Sequence, residues 1–113
     1  MHELMLAESV VRLVEDTARQ AGAKRVTRVR LALGALAHVD PDALLYCCEL
    51  VARDGVAAGA VYEVDRPAAE AWCANCLRIV VPAAAGASCP DCGGFELDIR
   101  AGEEMRVIDI AVA

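Results

Sequence analysis

The sequence is short of aromatic and basic residues. Phenylalanine, tryptophan and tyrosine make up 4% of its 113 residues, and 11 lysines and arginines face 17 aspartates and glutamates, which gives a formal net charge of −6. A nucleic-acid-binding surface needs a basic face for the phosphates, and aromatic side chains commonly stack on the bases. The composition therefore argues against a nucleic-acid partner.

Long apolar segments and a secretion signal are also missing. No hydrophobic run approaches the ~20 residues of a membrane-spanning helix. The first residues, Met1-His2-Glu3, lack the basic region that opens a signal peptide. We therefore expect no membrane partner and a cytoplasmic location, in which the cysteines stay reduced.

The most specific motif present is a double cysteine knuckle. Two Cys-x-x-Cys pairs stand twelve residues apart, at Cys73, Cys76, Cys89 and Cys92. This spacing is typical of a tetrahedral zinc site with four thiolate ligands. Pro90 stiffens the second turn, and Gly93 permits the backbone to reverse after the last ligand. Because four thiolates leave no open coordination position, we expect a structural site that holds the fold together and does no chemistry.

Other uses of four cysteines remain open from the spacing alone. Two disulfides would need an oxidising compartment, and a dithiol redox centre usually has a single Cys-x-x-Cys motif. Iron in a rubredoxin-like site fits the same spacing. The alternative functions are thus a zinc-ribbon adaptor for nucleic acid or protein, or a rubredoxin-like electron carrier. No nucleophile–base pairing, phosphate-binding loop or open catalytic metal site is evident, so we expect no enzyme.

Hydrophobic periodicity predicts an α+β fold. Apolar residues recur at helical spacing from Leu4 to Ala21 and again after Asp40, and they alternate in Arg25–Gly34, in Ala60–Arg66 and from Ile108 to Val112. We predict a small three-stranded sheet with two helices, completed by the final strand. The cysteine segment, residues 69–100, is then a zinc-ribbon module inserted into an α+β domain formed by residues 1–68 and 101–113. Cys47 and Cys48 fit no ligand spacing, and at least one of them is expected in the core.

A histidine at position 2 can chelate a metal together with the backbone. The α-amine of Met1, the amide nitrogen of His2 and its imidazole form two fused chelate rings, and a fourth donor would complete a square. Square-planar nitrogen donors favour Ni(II) or Cu(II). Taken alone the signal is weak, because chain termini are usually frayed. Glu3 is equally explained as a helix-start acid and Asp40 as an N-cap, while a loop histidine such as His38 is usually solvated.

Several motifs together resemble one family. They are Met1-His2-Glu3, Arg30-Leu31-Ala32-Leu33-Gly34-Ala35-Leu36, Pro41-Asp42-Ala43-Leu44, the cysteine pairs ending in Cys89-Pro90-Asp91-Cys92-Gly93-Gly94, and Gly102-Glu103-Glu104-Met105-Arg106-Val107. This combination, spread over nearly the whole chain, is similar to the HypA/HybF family, the nickel metallochaperones of [NiFe]-hydrogenase maturation.

The resemblance implies two metal sites with different roles. His2 would be the principal nickel ligand, with backbone nitrogens of Met1 and Glu3, and Glu3 and Asp40 would be auxiliary donors. His38, beside Asp40, is a further candidate that the family pattern does not supply. Ni(II) would be cargo and Zn(II) structural, the latter held by Cys73, Cys76, Cys89 and Cys92.

The resemblance also implies the partners. These are a nickel-handling GTPase of the same pathway and the precursor of a [NiFe]-hydrogenase large subunit. The sequence leaves open whether the protein is a monomer, a dimer or a swapped dimer, and whether a urease draws on the same nickel.

Overall fold

A computed structural model describes residues 2–113 of the chain. In order, its elements are α1 (Glu3–Gln20), β1 (Val26–Leu33), α2 (Pro41–Val51), β2 (Val61–Asp65), β3 (Glu70–Cys73), β4 (Arg78–Val80), β5 (Leu97–Ala101) and β6 (Met105–Val112). Two helices and small sheets confirm the α+β class. None of the helices in this part of the chain is both long enough and apolar enough to span a membrane.

The chain divides into two compact units. The first comprises Met1–Leu31, Val39–Val64 and Arg106–Ala113, and the second comprises Ala32–His38 and Asp65–Met105. The division predicted from sequence, residues 69–100 inserted into 1–68 and 101–113, stays a prediction.

The three strands β1, β2 and β6 form one sheet in the order β2-β1-β6. The last strand therefore returns to pair with the first, as the sequence pattern predicted. α1 and α2 pack against each other. The buried face of α1 consists of Ala7, Val11, Val14 and Ala18. Val10 is only half-buried, and Ala21, the last residue of the predicted helix, lies beyond the end of α1.

The start of α2 and the end of α1 have residues that are typical of helix ends. The Asp40 carboxylate accepts a hydrogen bond from the Asp42 amide at 3.1 Å, and Pro41 occupies the first turn of α2. Capping of this kind satisfies one of the amides that a helix start leaves without an intrahelical acceptor. α1 ends before Gly22, whose φ of +68° provides the left-handed residue that closes many helices.

The second unit contains a three-stranded antiparallel sheet in the order β4-β3-β5. Trp72 on the central strand lies opposite Ile79 on one side and Asp98 on the other. In the linker between the cysteine pairs, residues 77–88, only Arg78–Val80 form a strand, β4, and that strand pairs with β3. Cys73, the last residue of β3, thus places the first sulfur at the end of a buried strand.

Two of the family-like motifs meet at a tight corner of the second unit. The amide of Gly34 donates to the carbonyl of Glu104, and that of Leu36 donates to the carbonyl of Gly102, both at 2.7 Å. A Cβ on Gly34 would lie 2.1 Å from the Gly102 oxygen. The close approach of the two backbones explains why glycine occupies position 34.

Candidate metal centres

The four cysteine sulfurs of the second unit converge on one point. Cys73 Sγ lies 3.7 Å from Cys92 Sγ, and Cys76 Sγ lies 3.9 Å from Cys89 Sγ. All four lie within 4.8 Å of one another. A tetrahedron of thiolates about 2.3 Å from a central zinc has edges of about 3.8 Å. The sulfurs are thus spaced to share one ion, and all four cysteines are free thiols, which removes the two-disulfide alternative.

Each turn also supplies hydrogen bonds to the sulfurs. Three backbone N–H groups donate at 3.4 Å, from Cys76 to Cys73, from Asp91 to Cys89 and from Gly94 to Cys92. Such donors orient thiolate ligands and balance part of their negative charge. The two turns therefore supply donors that suit thiolate ligands, in addition to the positioning that the sheet provides.

The two knuckles reverse the chain in the same way but with different residues. Gly93, the residue after the second pair, has φ of +76°, and Leu77, the residue after the first pair, has φ of +56°. The role of Gly93 was predicted from sequence. That of Leu77 was missed, because a leucine gives no signal of a left-handed backbone. Its strained conformation indicates that the surrounding turn determines the backbone there.

Electrostatics differ between the thiols. The backbone amide of Cys92, followed by that of Asp91, lowers the pKa of Cys89 to about 7, against the desolvation that opposes it. Desolvation beside the other thiols raises the pKa of Cys76 to about 12. Four such groups cannot all ionise without a compensating cation. The donor set, soft and anionic, fits Zn(II) and also fits iron.

An ion pair links the two knuckles, and the sequence analysis did not foresee it. Arg78, at the start of β4, donates to the carboxylate of Asp91 inside the second Cys-x-x-Cys turn. The hydrogen bond to Asp91 raises the pKa of Arg78 further. Both side chains are about half exposed, so the pair contributes modestly to stability and mainly fixes the two turns against each other.

The first unit holds the second group of predicted ligands. His2 occupies the N-cap position of α1 and is exposed; its carbonyl accepts from the Leu6 amide at 3.0 Å, while its imidazole does not cap the helix. The predicted amine donor belongs to Met1, which lies outside the described residues.

Glu3 and Asp40 are brought together across 37 positions of sequence. The Asp40 amide lies 3.5 Å from Glu3 Oε2, at the limit of a hydrogen bond. This contact places the start of α2 beside the start of α1, where Glu3 directly follows His2 in the chain. The Asp40 carboxylate itself is engaged by its capping bond.

These candidates do not form a finished site. Among residues 2–113, the four cysteines are the one group of three or more histidine, cysteine or acidic side chains whose ligand atoms already converge. His38 is exposed in a segment that belongs to the second unit.

Comparison with known proteins identifies the family of the chain. Residues 1–112 match the family model described as hydrogenase/urease nickel incorporation, metallochaperone, HypA. The chain belongs to the HypA family. It is 46% identical over 112 residues to the hydrogenase maturation factor HypA of Rhizobium leguminosarum bv. viciae, with 99% of each chain covered. It is 45% identical over 112 residues to that of Rhodopseudomonas palustris strain TIE-1, again with 99% of each covered.

Two solved structures share the fold. The solution structure of the Ni metallochaperone HypA from Helicobacter pylori superposes with a TM-score of 0.70 at 24% identity, covering 99% of this chain and 97% of that one. A second solution structure of a HypA protein gives a TM-score of 0.73 at 23% identity, with 100% and 97% covered. At such identities the likeness establishes the HypA fold and nothing finer.

Proposed function

We propose that this HypA-family chain binds Ni(II) through His2 and delivers it for insertion into the large subunit of a [NiFe]-hydrogenase during maturation. The observation that carries the proposal is the family match over residues 1–112. His2, exposed at the start of α1 and followed by Glu3, which contacts Asp40, supplies an accessible imidazole as a metal ligand.

The nickel site we propose uses the imidazole of His2 together with backbone nitrogens of Met1 and Glu3. Amides in the first turn of a helix have no intrahelical acceptor, so a metal can recruit them without breaking the helix. Glu3 and Asp40 are auxiliary oxygen donors, and His38 is the least supported candidate. Nitrogen donors of this kind favour Ni(II) or Cu(II) over Mg(II), Ca(II) and Mn(II), which prefer oxygen ligands.

We assign the four-cysteine site to a structural Zn(II). A closed thiolate site couples metal binding to folding, so its ion stays while the cargo ion moves. The cysteines Cys73, Cys76, Cys89 and Cys92 would hold the zinc, and its positive charge would compensate four neighbouring thiolates. Metal analysis of the purified protein distinguishes zinc from the iron of a red, rubredoxin-like site.

The partners we propose follow the family. Nickel would pass between this chain, a nickel-handling GTPase and the hydrogenase large-subunit precursor. We place the exchange in the cytoplasm, where thiols stay reduced. The family description also names urease, so a urease precursor is a second client to test.

Nickel titration of three zinc-loaded proteins tests the proposal. The wild type should bind nickel stoichiometrically, and His2→Ala should weaken binding by roughly 100-fold or more, about 2.7 kcal/mol. His38→Ala is the matched control, because it removes the other imidazole of the chain, and it should bind nearly as the wild type does. Tight nickel binding retained by His2→Ala would remove the central assignment.

A further inference from the structure

The sheet of the second unit has one face turned toward the four-cysteine cluster and one face turned away from it. On the central strand β3, Ala71 and Cys73 are fully buried in the core that surrounds the cluster. Trp72, between them, lies on the opposite face, because successive side chains of a strand alternate. Residues paired directly across an antiparallel sheet share a face, so Ile79 on β4 and Asp98 on β5 flank Trp72 there. These three residues define the outer face of the sheet.

The outer face carries apolar area that is open to solvent. Ile79 is 46% exposed, and Trp72 is only half-buried. The residues just before and just after β4, Leu77 and Val81, are exposed as well. Within residues 2–113 both helices belong to the first unit, so the second unit has no helix of its own to cover this face. An apolar sheet face is normally buried against another layer of structure.

The Trp72 ring is already oriented on the outer face. The Arg100 guanidinium lies over it, 5.9 Å from the ring centroid. Arg100 in turn donates to the Asp98 carboxylate at 2.9 Å. A ring held by a cation–π contact has less freedom to lose when a partner binds. Tryptophan is also among the residue types that are enriched in interface hot spots, so Trp72 is suited to anchor a partner.

The charge of the second unit restricts what can cover the outer face. Residues 32–38 and 65–105 contain 7 aspartates and glutamates and 3 arginines, which gives −4 of the chain's formal −6. A second copy of this chain would bring a like charge to the interface. Nucleic acid and anionic lipid are negatively charged as well. The charge therefore favours a cationic partner.

We propose that the outer face docks an amphipathic helix of another protein, with its apolar side toward Trp72 and Ile79 and its lysines or arginines toward the acidic side chains of the unit. A helix is the element that supplies the missing layer over a small antiparallel sheet. Exposed carboxylates are available at Asp98 on the face itself and at Glu70, two residues before Trp72 on β3. This docking concerns the second unit alone and does not rest on nickel binding at His2.

Fluorescence of the zinc-loaded protein tests the docking, because Trp72 is the single tryptophan of the chain. The probe is a synthetic helix of about 18 residues, with leucines on one side and lysines on the other. At about 0.15 M salt it should shift the Trp72 emission to shorter wavelength, and the shift should saturate below about 100 μM peptide. A peptide with glutamate at every lysine position should leave the emission unchanged.

Variants of Ile79 separate apolar docking from simple charge attraction. Ile79→Ala should weaken binding of the lysine peptide at least about threefold, and Ile79→Glu at least about tenfold, although the added glutamate makes the unit more acidic. Leu13→Glu, the same change at a leucine that is 52% exposed on α1, is the matched control and should bind as the wild type does. Zinc content equal to that of the wild type shows that the second unit of each variant is folded.

Three results would overturn the proposal. The first is a Trp72 emission that the lysine peptide does not change up to about 100 μM. The second is an Ile79→Glu variant that binds this peptide as tightly as the wild type, because charge alone would then explain the binding. The third is an emission that shifts when the protein alone is concentrated from about 1 μM to about 1 mM, which would assign the outer face to a second copy of the chain.

Discussion

The four-cysteine cluster and the His2 region differ in how closely their candidate ligands converge. In the cluster, four sulfurs lie within 4.8 Å of one another, and backbone amides donate to three of them. At the start of α1, Glu3 contacts Asp40, and residues 2–113 place no third histidine, cysteine or acidic ligand atom there within the same range. A closed site of four thiolates suits an ion that stays. An exposed site with few side-chain ligands suits an ion that must be handed on, because it can be dismantled one ligand at a time.

The largest expected effect is on the four-cysteine cluster. Cys89→Ser removes one ligand of four, and thiolate zinc sites supply on the order of 10–16 kcal/mol to the folding of small modules. We expect zinc content to fall from one equivalent toward none and residues 65–105 to lose hydrogen-exchange protection. Cys47→Ser, which alters a half-buried cysteine outside the cluster, should keep its zinc. Full zinc occupancy in Cys89→Ser would refute the four-thiolate assignment.

A smaller effect is expected from blocking the α-amine. Residues placed ahead of Met1 convert its α-amine into a backbone amide. The free amine then belongs to the first added residue, away from the chelate ring. Nickel affinity should then fall by roughly tenfold or more, about 1.4 kcal/mol, with zinc unchanged. The same residues added after Ala113 serve as the control. An unchanged nickel isotherm in the extended protein would mean that the amine is not a donor.

An effect of similar size distinguishes the two cysteine knuckles. A left-handed backbone costs a residue with a Cβ roughly 1–2 kcal/mol, so Gly93→Ala should destabilise the second knuckle by about that amount. Leu77→Gly relieves the same strain in the first knuckle, and because Leu77 is 71% exposed the change removes little packing. Gly93→Ala should release zinc at lower chelator concentration, and Leu77→Gly at equal or higher concentration. If Leu77→Gly released zinc at a lower chelator concentration than Gly93→Ala, the left-handed backbone would not be what limits the stability of the two turns.

Local pattern was sufficient to predict most of the fold. The helical spacing around Val11 and Val14, the Asp40 cap and the alternation in β1 each predict an element that the structure contains. The cysteine cluster could be predicted equally well, because its ligands lie in two short turns of fixed geometry. Local pattern failed where long-range pairing decides. The pairing of β4 with β3, the Arg78–Asp91 ion pair and the Glu3–Asp40 contact join residues whose sequence neighbours give no sign of one another.

The most direct test of the central contrast is a chelator challenge of protein loaded with both nickel and zinc, followed by mass spectrometry under native conditions. A hydrophilic chelator at moderate excess should remove nickel within the first minutes and leave one zinc on a folded chain. Loss of both metals together, or nickel that outlasts zinc, would contradict the assignment of one ion as cargo and the other as structural.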